Sequence, residues 1–259
     1  MPRVRNGSGN GWDTAMSTEP EIPRGGCTLT PIGRIHSCFT EKFGIPRQPG
    51  LVSEARATLE ILPPFDRREM FKGLDRFSHI WVHFIFHEIL AEGWKHTIRP
   101  PWLGGRTRVG VFASRSPHRP NFLGQSVVRL LALRFENGKI LLDLGGIDLL
   151  DQTPVVDIKP YLPYSDRIAE ATSGYAMSMP APVAVLFSEE VIAFGVSYQR
   201  EQGRDILRLI GQILQQDPRP ASQKEAGRDF GMKLWDVNVR WQARENDFFV
   251  LSCRRLMVG

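Results

Sequence analysis

The segment Gly110-Val111-Phe112-Ala113-Ser114-Arg115-Ser116-Pro117-His118-Arg119-Pro120-Asn121 concentrates residue types that can hold an anion. Two arginines and a histidine are interleaved with two prolines immediately after an apolar run. Proline fixes φ, so Pro117 and Pro120 keep the neighbouring guanidinium groups in set directions at low entropic cost. A guanidinium fork matches a carboxylate or phosphate. Three more segments dense in Gly, Pro and polar residues fall at expected strand ends: Phe43 to Gly50, Leu144 to Asp151, and Thr153 to Tyr161. Each alone reads as a turn. Four in one β-rich region are expected to share a pocket.

His79, His83 and His87, with Glu88 following, invite a metal reading. Their surroundings argue against it. Ile80, Val82, Phe84 and Phe86 alternate with the histidines, which is a strand pattern, and same-face strand residues four apart lie roughly 13 Å from one another. Two such side chains cannot share an ion, so His87-Glu88 remains as a pair of hydrogen-bonding groups for a polar ligand. No G-x-S-x-G elbow, G-x-x-x-x-G-K-[ST] phosphate loop or strand-anchored G-x-G-x-x-G occurs, which removes the main signatures of hydrolases, NTPases and dinucleotide enzymes. Gly7-Ser8-Gly9-Asn10-Gly11 imitates a glycine loop but has no strand before it. Cys27, Cys38 and Cys253 form no C-x-x-C pair, so no disulfide framework or zinc site is indicated.

The elements that position these residues can be read from periodicity. Residues 1–26, polar with many Gly and Pro, are expected to be a disordered tail. From Leu29 to about Tyr164 short β runs alternate with turns: Thr30–Ile35, Ala57–Leu62, Ser78–His87, Arg106–Phe112, Ser126–Phe135, Lys139–Leu144 and Val155–Ile158. Asn137-Gly138 is a hairpin turn signal, because both turn positions need φ > 0. This pattern fits an all-β barrel or a sandwich. After a linker over 176–182 the grammar changes. Ser188 is a helix N-cap, Ile206, Leu209, Ile210, Ile213 and Leu214 form a helical stripe that stops at Asp217-Pro218, and strands return at Val237–Trp241 and Phe248–Ser252. The expected organisation is therefore a mainly β domain over 27–175 and a smaller α+β domain over 183–259.

The chain has 259 residues, 42% of them hydrophobic, enough for a real core. Lys+Arg 33 against Asp+Glu 28, with pI ≈ 9.3, favours anionic partners such as nucleic acid. No apolar leader region occurs, and no stretch approaches the roughly 20 apolar residues of a membrane span. A cytoplasmic protein is expected.

Lys42 to Gly50, Gly110 to Asn121, Thr153 to Leu162 and Gln216-Asp217-Pro218-Arg219-Pro220 together resemble, in order, the signature blocks of the TsaA-like (TrmO) family of tRNA methyltransferases. The resemblance runs from about Leu29 to Leu251. It implies a single-sheet β-barrel that binds S-adenosylmethionine, works as a homodimer, and methylates N6 of N6-threonylcarbamoyladenosine at position 37, in the anticodon loop of threonine tRNA. Carried over by position, it places the cofactor against Gln48, Pro49, Gly50, His87, Glu88, Arg115, Val127, Ile147, Asp148, Leu149 and Leu150. Arg115 then faces the methionine carboxylate, Asp148 or Glu88 the ribose or sulfonium, and Val127, Leu149 and Leu150 the adenine. The acceptor nitrogen must also lose a proton, for which Asp151, Asp157 or His118 are the candidates. RNA contact is expected from Arg219, Lys224, Arg228, Lys233 and Arg240 of the second domain. Two positions depart from the family pattern: Phe122 stands where proline is expected, and Ser222 where tyrosine is expected. The competing reading is a non-enzymatic RNA- or ligand-binding β-barrel module, which accounts for the charge but leaves the Arg115 loop and the Ile147–Asp151 run without a task.

Overall fold

The computed structural model describes residues 28–175, 181–220 and 223–256. The expected tail over 1–26, most of the expected linker and Ser222 lie outside them.

The β-rich region holds eight strands, six of which fall on the expected β runs. They are β1 (Gly33–Ser37), β2 (Arg56–Ile61), β3 (His79–Ile85), β4 (Thr97–Ile98), β5 (Val109–Gly110), β6 (Leu123–Glu136), β7 (Lys139–Gly145) and β8 (Pro154–Pro160), with β4 and β5 pairing only with each other. The other six close into a barrel in the order β1-β2-β7-β6-β3-β8, each pair antiparallel. In β3 the alternation is literal: Ile80, Val82 and Phe84 are buried, while His79, Trp81 and His83 sit half-buried on the other face. With Leu59, Leu142, Leu144 and Val155 they fill the barrel, each fully buried side chain contributing roughly 1.5–3 kcal/mol before entropy. Asn137 (φ 50) and Gly138 (φ 77) make the expected turn between β6 and β7.

The strand expected over Arg106–Phe112 is corrected. Only Val109 and Gly110 pair, and Val111–Ala113 winds into a single 3-10 turn. Ser114 Oγ donates to Val111 O at 2.7 Å and closes that turn, so a local side-chain bond diverts an apolar run from the sheet.

After a one-turn helix α1 (Pro163–Asp166), the second region runs β9 (Ala184–Phe187), α2 (Glu189–Gln202), α3 (Ile206–Gln215), β10 (Asp229–Leu234), β11 (Val237–Ala243) and β12 (Asp247–Arg255). Its sheet has the order β10-β11-β12-β9, with β9 parallel to β12. Ser188 caps α2 by accepting from Val191 N at 3.3 Å, and the whole stripe of α3, Ile206 to Leu214, is buried. β9 and β10 were not foreseen. From Pro31 onward both regions belong to one compact unit: Phe39 bridges to Leu234, Trp235 N donates to Cys38 O at 2.9 Å, and Lys233 N donates to Glu41 Oε1 at 2.9 Å. No helix among the described residues is long and apolar enough to cross a membrane.

Candidate functional site

The Arg115 loop is braced from within. Arg119 Nη1 donates to Ser114 O at 2.8 Å, Ser116 N to Ser114 Oγ at 3.3 Å, and His118 N to Ser116 Oγ at 3.3 Å. Arg119 therefore shapes the loop, and Arg115 is left pointing outward, where its Nη1 donates to Gln48 Oε1. Phe122, the residue in place of the expected proline, has φ 51. Proline is confined near −65°, so it cannot occupy this backbone conformation.

The loop, the 43–50 segment, the end of β3 and the run after β7 enclose a cavity of about 720 Å³, the size of a small-molecule site. Gln48, Pro49, His87, Glu88, Arg115, Val127, Asp148, Leu149 and Leu150 all line it. Gly50 and Ile147 do not. Gly50 (φ +80) donates its N–H to Gly146 O at 2.7 Å, and a Cβ on Gly146 would lie 3.3 Å from Gly50 Cα, so these glycines tie the 43–50 segment to the end of β7 by close backbone approach. Ile147 is fully buried beneath the wall.

One charged group lies deep in the cavity. Burial pushes the Asp148 carboxyl up to about 6, an effect opposed by the hydrogen bond from Ser126 Oγ at 2.7 Å and by the Arg115 charge. Glu88, at the mouth, lies 3.7 Å from His87 Nε2 and 4.0 Å from Lys42 Nζ. Sequence reasoning missed Ser126. The available signal was its place between Gly124 and Val128 on the inward face of β6, a polar residue at a core position. It also missed Gly124: a Cβ there would lie 2.3 Å from the Phe84 ring, and both residues line the cavity.

The three candidate proton acceptors lie off this cavity. Asp151 accepts from Ser37 N at 2.8 Å and Gln152 Nε2 at 3.1 Å. Asp157 is exposed on β8 and accepts from Ile158 N. His118 lines a neighbouring cleft, with Glu92 Oε2 at 3.7 Å. Nor do the five basic residues of the second region form one free surface. Arg219 is held by Asp217 at 2.8 Å and lies over the Phe248 ring, and Lys224 reaches the same carboxylate at 3.5 Å. Arg228 lies over Phe230, Arg240 pairs with Asp229 at 3.5 Å, and Lys233 stands exposed on the same face of the sheet as Arg240.

The tRNA-methyltransferase O N-terminal domain model matches residues 34–167, and the TrmO C-terminal domain model matches 180–256. This chain belongs to the TrmO family. An Escherichia coli relative named tRNA (adenine(37)-N6)-methyltransferase is 43% identical, over 85% of this chain and 95% of the relative. A Pseudomonas aeruginosa relative, RcsF, whose name places it among S-adenosylmethionine-dependent methyltransferases, is 51% identical over 83% of this chain and 91% of its own. The crystal structure of TrmO from Pseudomonas aeruginosa superposes with a TM-score of 0.75 at 44% identity, covering 88% of this chain and 98% of that one. The closed barrel with a smaller α+β part is thus the TrmO architecture, and the competing sandwich is set aside.

Proposed function

We propose that the chain is an S-adenosylmethionine-dependent methyltransferase acting on N6 of adenosine 37 in tRNA, as the names of its TrmO relatives describe. Within that activity, the acceptor is N6-threonylcarbamoyladenosine of threonine tRNA, and the enzyme works as a cytoplasmic homodimer. Residues 27–175 supply the donor site and 183–259 a supporting domain.

The observation that carries this reading is the pairing, in one cavity, of an arginine at the mouth with a buried carboxylate and apolar walls. The donor's carboxylate suits Arg115, which Gln48 holds in place; its cationic centre and ribose suit Asp148; its adenine suits Val127, Leu149 and Leu150. When bound, S-adenosylmethionine supplies a methyl group on a sulfonium, already a good leaving group, so the protein needs no covalent intermediate. The residues here work by orientation, which contributes up to roughly 7–11 kcal/mol in the best intramolecular models. Asp148 lines the cavity and burial pushes its carboxyl up to about 6, towards the range of a general base, which favours it over Asp151, Asp157 and His118 as the group that takes the acceptor's proton.

Mass spectrometry of tRNA nucleosides from cells with and without the protein tests the reading. Methylated threonylcarbamoyladenosine should disappear without it, and an unchanged level would refute the proposal.

A further inference from the structure

A second cleft, of about 1400 Å³, opens on the other side of the Arg115 loop. It shares Arg47, Gln48, Ser114, Arg115 and Pro117 with the first cavity, so the two adjoin across that loop. Its chemistry is different. Among the described residues, no carboxylate lines it. Lys95 and His118 on its wall lean towards Glu92, at 3.9 and 3.7 Å. Arg99 and Arg108, both exposed, have no carboxylate partner among the described residues, and Arg108 Nη1 donates to Thr97 Oγ1 at 3.1 Å.

The placement of these arginines follows from the β4–β5 ribbon. Ile98 pairs with Val109, so Arg99 and Arg108, the next residues outward, come together at one end of the ribbon. The ribbon thus brings two exposed guanidinium-bearing residues to one end of the cleft, where an incoming anion can pair with them. Phe112, also on the cleft wall, is 77% exposed. The turn that presents it is anchored by buried Val111 and by Tyr175, whose Oη donates to Ala113 O at 2.9 Å. A rigidly mounted, exposed aromatic beside exposed arginines is a combination that suits a single nucleic-acid strand, by stacking a base and neutralising phosphates.

We infer that this cleft holds the acceptor RNA strand, with Arg99 and Arg108 on backbone phosphates and Phe112 stacked on an unpaired base next to the target. The target base then crosses the Arg115 loop into the donor cavity. This assignment rests on the methyltransferase reading above and moves the main RNA contact from the second domain to the barrel side. On the second domain, Asp217 and Asp229 already engage Arg219, Lys224 and Arg240, three of the five residues first expected there.

Fluorescence anisotropy with a synthetic tRNA anticodon stem-loop, in the absence of cofactor and over a range of salt, tests it. Arg99→Ala/Arg108→Ala should weaken binding about tenfold per arginine and flatten the log–log salt slope by about 1.4, at roughly 0.7 per phosphate contact. Arg99→Lys/Arg108→Lys, which keeps the charge, should keep the slope. Phe112→Ala should weaken binding roughly 5- to 150-fold with the slope unchanged. All these variants should retain calorimetric binding of S-adenosylmethionine. Unchanged affinity and slope in the double alanine variant, or a slope loss found only in Lys233→Ala/Arg240→Ala, overturns the inference. A wild-type chain that binds the stem-loop but gives no heat with S-adenosylmethionine contradicts the methyltransferase reading instead, so the two failures are distinct.

Discussion

Asp148→Asn should make the folded chain more stable at neutral pH while damaging its donor site. Burial raises the Asp148 carboxyl from 3.8 to about 6, so between those values the native state holds a proton that the unfolded chain has released. Stability then falls as pH rises through this window, by 1.36 kcal/mol per unit, or up to about 3 kcal/mol in all, an upper bound because the side chain keeps some solvent contact. Asparagine has nearly the same shape, can still accept from Ser126 Oγ, and carries no charge to desolvate. For a chain of this size the gain at pH 7 corresponds to a melting temperature higher by up to about 10 °C. Thermal melts of both proteins, without cofactor, in buffers from pH 4 to pH 7.5 would show it: the difference should grow with pH and flatten above about 6. Calorimetry at pH 7 should show cofactor binding weakened by roughly tenfold or more. A melting difference that is constant across the series, or that favours the wild type at pH 7, would refute the assignment of Asp148 as a charge held at a cost.

The remaining predictions concern the same cavity. In the wild type, cofactor affinity should decline as pH falls through about 6, where Asp148 takes up its proton; titration calorimetry from pH 5 to pH 8 checks this. Ser126→Ala removes a bond that favours the charged carboxylate, so the midpoint of that decline should move to higher pH, and an unmoved midpoint would separate Ser126 from Asp148. Arg115→Ala should weaken S-adenosylmethionine binding about 10- to 100-fold with the melting temperature nearly unchanged, because the side chain is exposed and its bond is to Gln48. Gly124→Ala drives a methyl to 2.3 Å from the Phe84 ring and should cost about 1–3 kcal/mol in chemical denaturation, together with a loss of cofactor affinity.

What could be read from the sequence was what local pattern determines. Alternation in β3, the Asn137-Gly138 turn, the Ser188 cap and the α3 stripe each follow from residues a few positions apart, and each is present. The run over Arg106–Phe112 had the composition of a strand, but the Ser114 hydroxyl closes a turn there, and composition does not report that competition. β10 was legible in the alternation of Phe230, Met232 and Leu234 with exposed Asp229, Gly231 and Lys233, a signal the sequence reading passed over. At the site, the Gly/Pro-rich strand ends did converge on one cavity. Ser126 stood out only as a polar residue at a core position of β6; its pairing with Asp148 was not legible, because it depends on β6 and the turn after β7 meeting inside the barrel, a contact between residues far apart in the chain. The same limit applies to the basic residues. Counting Arg and Lys along the second domain gave no sign that Asp217 and Asp229 would engage three of them, nor that the β4–β5 ribbon would leave Arg99 and Arg108 exposed with no carboxylate partner among the described residues.

The most direct measurement is methyl transfer by the purified chain from labelled S-adenosylmethionine to a tRNA anticodon stem-loop, analysed by nucleoside mass spectrometry. Two acceptors are compared, one carrying N6-threonylcarbamoyladenosine at position 37 and one carrying plain adenosine. The account predicts label on N6 of the threonylcarbamoylated nucleoside and loss of that product in Asp148→Asn and Arg115→Ala. Label on another atom, or none on either acceptor from a chain that demonstrably binds the donor, would contradict it.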